Sequence, residues 1–345
     1  MSTQPVIEGV RLWTPSREAI ANANFTKYMN WLREQHGLAF STYRDLWQWS
    51  VTALDAFWGS WWEYMGVVSS QPYSVVLAER AMPGAKWFVG AQLNYAENIF
   101  ARHTNARPAL LYQSETTPLT AISWQTLYDQ TAKLAHTLRE LGVQRGDRVV
   151  AYLPNLPAAI IGLLATASIG AIWSSCSPDF GSRGVLDRFG QIEPKVLLAV
   201  DGYHYGGKYF DRRANLSELQ AALPTLNAII LVEQEWNAAY TNLVDPRGLM
   251  RDARQSVQSA QSVATISWQQ IMATGPVPSL QFAQVPFDHP LWILYSSGTT
   301  GLPKPIVQGH GGILLEHGKA TILHNDLQPG DRFFWYSSTG WMMWN

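Results

Sequence analysis

The stretch Leu294–His310, LYSSGTTGLPKPIVQGH, concentrates groups able to do chemistry. An apolar run, LWILY at 291–295, feeds directly into Ser296, Ser297, Gly298, Thr299, Thr300 and Gly301, followed by Pro303 and Lys304. Glycines let backbone N–H groups come close to phosphate oxygens, the hydroxyls donate further hydrogen bonds, and the lysine supplies a cation. The residue types therefore suit a polyphosphate cradle. Two other phosphate motifs fail on spacing. A Walker A loop needs glycine before its lysine and Ser/Thr after it, where this chain has Pro303 and Pro305. A dinucleotide fingerprint needs G-x-G-x-x-G, but the sixth position counted from Gly309 is Leu314. On residue types alone, the loop is equally compatible with a plain structural turn.

The elements that would hold such a loop can be read on its N-terminal side. After about residue 105 the chain alternates short apolar runs with helix-length segments. ALLYQ (109–113), RVVAYL (148–153), GAIW (170–173), KVLLAV (195–200), AIILV (228–232) and LWILY (291–295) read as strands. Ser123 caps a helix with Leu127, Leu134, Leu138 and Leu141 on one face and Gly142 as its stop. Such alternation predicts an α/β fold, a mostly parallel sheet flanked by helices. The uncharged run Val149–Pro178 could suggest a membrane span. Pro154, Asn155 and Pro157 at one end and SSCSPD at the other favour a buried helix followed by a buried strand. The polar, Gln/Ser-rich segment 233–287 is expected to be loops.

The first hundred residues differ. Half of the 16 tryptophans lie before residue 90. Phe25–Gly37 and Tyr43–Gly66 each read as one helix closed by glycine. Across the whole chain 47% of the 345 residues are hydrophobic and the formal net charge is −1, enough for a large core. With no Lys/Arg run, nucleic acid and anionic membrane are poor partners. The single cysteine, Cys176, excludes an internal disulfide or a cysteine-based zinc site, reads as a core thiol and fits a reducing cytosol. The N-terminus lacks the basic and apolar regions of a secretory signal.

Tyr295–Lys304 resembles the phosphate-loop signature of the adenylate-forming superfamily, which includes acyl-CoA synthetases, luciferases and peptide-synthetase adenylation domains. The Trp-rich start with LNYAENIF (93–100) resembles the N-terminal module of short-chain acyl-CoA synthetases. Residues 177–208, the PKPIVQGH string and the closing STGWMMWN (338–345) are similar to the acetoacetate-activating branch. This resemblance implies two domains, residues 1–104 as the N-terminal module and 105–345 as the AMP-binding domain. It implies ATP, Mg²⁺, CoA and acetoacetate as the small molecules handled. Ser296, Ser297, Gly298, Thr299, Thr300, Gly301 and Lys304 would hold the ATP phosphates, with Lys304 and Thr299 stabilising charge during reaction. Trp341 would wall the acyl pocket beside Met342, Met343 and Trp344, and His204 and Lys208 would meet CoA, although DGYHYGGK also reads as a solvated polar turn. Asp187 and Arg188 read as a surface pair. Relatives of this kind run to about twice the length, with a later acidic motif, a ribose-binding aspartate, a hinge and a C-terminal catalytic lysine. The 345 residues are thus expected to be an N-terminal piece, inactive alone in ATP–pyrophosphate exchange. Alternatives are another short-chain acyl-CoA synthetase, a non-catalytic nucleotide-binding fragment, or an unrelated phosphotransferase.

Overall fold

The computed structural model describes residues 8–234, 263–273, 275–298 and 301–345. The chain divides into two compact units, Met1–Val67 with Leu315–Phe333, and Val68–Leu314 with Phe334–Asn345.

The first unit is helical and packed through aromatic rings. Helix Asn24–His36 ends at Gly37 in the left-handed conformation, as its glycine stop implies. The expected single helix over 43–66 is instead two, Tyr43–Thr52 and Leu54–Met65. The backbone leaves helical geometry at Ala53, just after the Thr52 hydroxyl has bonded back to the Gln48 carbonyl at 2.8 Å. A Thr42/Asp45 capping box starts the first of the pair. Tyr28 packs edge-on against Trp61 and shares a buried hydrogen bond with Ser60, 2.7 Å between hydroxyl oxygens. The Trp61 indole N–H donates to the Leu315 carbonyl, so each buried ring satisfies its polar atom.

The second unit is built on a seven-stranded sheet. Its strands in chain order are β1 Arg148–Tyr152, β2 Ile172–Cys176, β3 Val196–Val200, β4 Ala228–Val232, β5 Ala264–Ser267, β6 Pro290–Ser296 and β7 Lys304–Gly309. The spatial order is β5-β4-β3-β1-β2-β6-β7, parallel except for the antiparallel β6–β7 pair. β2, β3 and β4 are buried at every position, which is why their sequences read as unbroken apolar runs. One face carries Val150, Tyr152, Ile172, Leu197, Ala199, Ile229 and Leu231 against helices Ser182–Phe189 and Arg213–Ala222. On the other, Gly162 of the buried helix Pro157–Ile169 lies over Trp173 and Leu198, where an added Cβ would come within 2.7 Å of the indole. The uncharged segment is thus a buried helix and strand, and among the described residues no helix is long and apolar enough to cross a membrane.

Four expectations need correction. The strand expected at 170–173 begins at Ile172, because Gly170 takes φ +76° to end the preceding helix. Segment 233–287 is not all loop: Ala264–Ser267 is the edge strand β5, Trp268–Ala273 is helical, and Val285–Pro286 pairs with Gln92–Leu93. Residues 235–262 of that segment lie outside the described residues. DGYHYGGK is more than a solvated turn: its exposed Tyr205–Lys208 tip closes a β-hairpin, Gly202–Tyr205 with Lys208–Asp211, anchored by the buried Tyr203. Arg188 makes no pair with Asp187. Its guanidinium lies 4.7 Å over the Phe180 ring and donates to the Gly184 carbonyl at 2.6 Å.

Candidate functional site

The phosphate-type loop is the connection of the β6–β7 hairpin. Ser296 pairs with Lys304 as its last rung, leaving 297–303 to bridge the strands. Thr299 and Thr300 lie outside the described residues. Gly298 and Gly301 take φ of +54° and +98°, where L side chains are strained. A Cβ on Gly298 would also stand 3.2 Å from the Leu302 carbonyl oxygen. Ser297, Gly301 and Lys304 are exposed, so the described part of the loop is open rather than packed shut. Its base is fixed. Tyr295 donates its hydroxyl to the Arg188 carbonyl at 2.9 Å, and the Gln191 amide donates to the Pro303 carbonyl at 2.9 Å. Burial raises the Tyr295 phenol well above its ordinary value, so it stays a neutral donor.

At its far end β7 runs into His310, which is wholly buried. The His310 Nδ1 accepts the Tyr95 backbone N–H at 3.1 Å. Burial, with the neighbouring charges of His289 and Arg145 adding to it, pushes the imidazole pKa down to about 3. The ring is a neutral anchor for this strand, and nothing in the sequence distinguished it from the other histidines.

A second feature lies where the strand order turns around. The chain passes from β1 to β2 on one side, then to β3 and β4 on the other, so the carboxyl ends of β1, β2 and β3 flank a topological switch point, the usual ligand crevice of an open α/β sheet. A cavity of about 820 Å³ occupies it, lined by Pro154 and Asn155 after β1, Ser177 and Asp179 after β2, and Tyr203 and His204 after β3. Trp335–Thr339, Trp341 and Met343 form another wall. This wall is pinned to the strand ends. Asn155 donates to the Ser337 carbonyl at 2.7 Å, Ser175 donates to the Thr339 carbonyl at 2.8 Å, and the Thr339 hydroxyl donates to the Leu153 carbonyl. Gly340 allows the close approach, since a Cβ there would meet the Ser177 nitrogen at 2.9 Å.

Of the residues expected from sequence to touch ligands, Trp341, Met343 and His204 line this cavity. Trp344 turns its indole N–H to the Asn155 side chain at 2.7 Å, while Met342 and Lys208 are exposed and outside the lining. Trp341 is itself 65% exposed. A polar network that sequence reading missed supports the floor. The Tyr203 hydroxyl donates to Asp179 at 2.6 Å, Ser177 donates to the other Asp179 oxygen at 2.8 Å, and Arg212 donates to the Pro178 carbonyl at 2.8 Å. Burial, reinforced by the Asp179 carboxylate, raises the Tyr203 phenol above its ordinary value. Cys176 beneath is fully buried and its thiol is pushed up to about 12 by desolvation, which makes it a core residue and not a nucleophile. No group of three or more His, Cys, Asp or Glu able to hold a metal occurs among the described residues.

A glycine-rich loop beyond one parallel strand and a crevice beyond its neighbours place the candidate ligand sites of this α/β unit at the carboxyl ends of its strands. Residues 98–344 match the AMP-binding enzyme family and residues 43–99 match the acetyl-coenzyme A synthetase N-terminus, so the chain belongs to the AMP-binding enzyme family. It is 39% identical over 334 residues to an acetoacetyl-coenzyme A synthetase of Rhizobium meliloti, covering 97% of this chain and 48% of that protein. It is 35% identical to a malonamoyl-CoA synthetase of Penicillium aethiopicum, over 97% of this chain and 45% of that one. Among solved structures, acetoacetyl-CoA synthetase from Streptomyces lividans superposes with a TM-score of 0.85 at 50% identity, covering 96% of this chain and 48% of that one. The chain spans about half the length of the curated relatives it matches.

Proposed function

We propose that this chain forms the ATP- and acid-handling part of an AMP-forming acid–CoA ligase whose acid is acetoacetate. The observation that carries the reading is the exposure of Ser297, Gly301 and Lys304 in the loop at the carboxyl end of β6, on a sheet whose switch-point crevice is large enough for an acyl and pantetheine chain. In the first half-reaction, the acid carboxylate attacks the α-phosphorus of ATP and pyrophosphate leaves, giving an acyl-adenylate. The CoA thiol, losing its proton, then attacks the acyl carbon and AMP departs. A carboxylate is a poor electrophile, and transfer of AMP to its oxygen creates the leaving group. Backbone N–H groups of Ser297, Gly298 and Gly301, with the Ser296, Ser297, Thr299 and Thr300 hydroxyls and Lys304, would take the β- and γ-phosphate charge as it develops. Residues 1–104 would form the N-terminal module and 105–345 the AMP-binding part. Magnesium would accompany ATP.

The names of the relatives narrow the acid. Acetoacetate and malonamate both carry a carbonyl group at the third carbon, so the two relatives share a 3-carbonyl acid rather than a simple alkanoate. Trp341 and Met343 would shorten the acyl end of the crevice, and His204 and Lys208 would meet the phosphates of CoA. The test has two steps. Fluorescence titration of the 345-residue chain with ATP is expected to show saturable binding that Lys304→Ala weakens. AMP release by the product of the whole reading frame, with CoA and acetoacetate, acetate, propionate or butyrate, is expected to be fastest with acetoacetate. Preference for acetate would instead favour another short-chain acyl-CoA synthetase.

A further inference from the structure

The hairpin Gly202–Asp211 turns at Gly206 and Gly207, with φ of +61° and +71°, between the paired Tyr205 and Lys208. These are the positive angles of a two-residue type I′ turn. Its two successive backbone N–H groups are taken by one side chain that is 91 positions away in sequence. Glu115 Oε1 accepts from Gly206 at 2.6 Å, and Oε2 accepts from Gly207 at 2.9 Å. Each carboxylate oxygen has its own amide, so the turn grips a two-oxygen anion face-on. Successive turn amides are a recognised anion-binding concavity, and here the concavity is filled by the chain itself.

The grip sits beside the switch-point cavity. Ser114 and Thr116, on either side of Glu115, line that cavity, as do His204 and Tyr205 next to the turn. Lys208 follows directly and is exposed. Glu115 and both glycines are exposed too, so a solute can reach the carboxylate without opening the core.

We propose that the Gly206–Gly207 turn is a phosphate hook, that Glu115 occupies it before ligand arrives, and that a phosphate group of the ligand entering the cavity displaces the Glu115 carboxylate. The inference rests on the reading that the cavity admits CoA. Phosphate is the better occupant on charge grounds. It offers oxygens to both amides, carries more charge toward Lys208, and leaves Glu115 free to return to water. Glu115 is then a competitor built into the binding site, and it links the loop 113–119 to the hairpin only while the cavity is empty.

A prop and a competitor give opposite results when the carboxylate is removed. Glu115→Gln and Glu115→Ala are to be titrated with CoA and with dephospho-CoA, which lacks the 3′-phosphate. The expected result is a Kd for CoA lower by about threefold to tenfold than in the parent chain. A gain confined to CoA assigns the hook to the monoester, and a gain with both ligands assigns it to the diphosphate. Weaker or unchanged binding in both variants overturns the proposal, because a carboxylate that merely braces the hairpin can only help binding. Inorganic phosphate decides the hook independently of the cavity. In ¹⁵N-glycine-labelled Glu115→Ala, the Gly206 and Gly207 amide resonances are expected to shift at phosphate concentrations that leave the parent unmoved. Unmoved resonances sink the hook. Failure of CoA to bind any form, with these shifts present, sinks the cavity reading alone.

Discussion

Two glycine turns in the same α/β unit each lie beside a lysine, and they differ in length. The turn at 206–207 has two residues, lies next to Lys208, and holds one carboxylate. The loop at 297–303 has Lys304 at its exit and spans enough backbone to wrap several phosphates. Their supports differ as well. The short turn rests on Tyr203, held by Asp179. The long loop rests on Tyr295 at one end of its hairpin and on the neutral, buried His310 at the other. On the proposed reading, turn length would set how much anion is bound, while the buried aromatic at the base would set how firmly the turn is aimed.

The largest effect is expected from Lys304→Ala. Its side chain is exposed, so folding by circular dichroism should be unchanged, while loss of a charge-assisted contact of about 1.5–3 kcal/mol should weaken ATP about 10- to 100-fold. Unchanged ATP affinity would remove the functional half of the comparison. Next comes Gly298→Ala. Forcing an L residue into the left-handed region costs about 1–2 kcal/mol, and the Cβ crowds the Leu302 carbonyl, so ATP should weaken about five- to thirtyfold. Gly206→Ala should leave ATP binding unaltered, because that turn lies beside the switch-point cavity and not in the β6–β7 loop. Equal losses of ATP affinity in both variants would merge the two sites into one.

The supports can be separated by pH. His310 titrates near pH 6.5 when unfolded and at about 3 when folded. Above pH 6.5 neither state takes the proton. Below it the unfolded chain does and the native chain does not, so stability falls with pH from about 6.5 toward about 3 at up to about 1.4 kcal/mol per unit. His310→Asn keeps an acceptor for the Tyr95 N–H and should flatten that slope in urea denaturation between pH 6.5 and 5. The smallest effect is expected from Asp179→Ala, which removes the acceptor of the Tyr203 hydroxyl and leaves only the bond it accepts from Arg212. The exposed carboxylate makes this loss about 0.5–1.5 kcal/mol, read as weaker CoA binding with ATP binding intact.

The buried strands could be read in the sequence because parallel strands covered on both faces contain little else but apolar residues, as VLLAV at 196–200 shows. The loop at 297–303 was legible for a related reason, since its residues are contiguous. Edge strands were not. β5 carries Thr265 and Ser267, and β7 opens with Lys304 and Pro305, so neither presents an apolar run. The Ala53 break was hidden because the helical pattern continues on both sides. Contacts made only by folding left no local trace. Glu115 meets a turn 91 positions away, and Tyr203 meets Asp179 across a crossover. Lys208 had the right charge and neighbourhood for a ligand, yet its side chain lies outside the cavity lining.

Pro305, which helped to rule out a Walker lysine loop, has a consequence for the company this protein keeps. It lies on β7, which among the described residues pairs only with β6 and so forms a border of the sheet. A border strand offers a row of donors to any passing chain, and proline interrupts that row. With the charge of Lys304 beside it, the strand can keep the exposed Ser297 and Gly301 of its loop in water without recruiting a second molecule to zip along it.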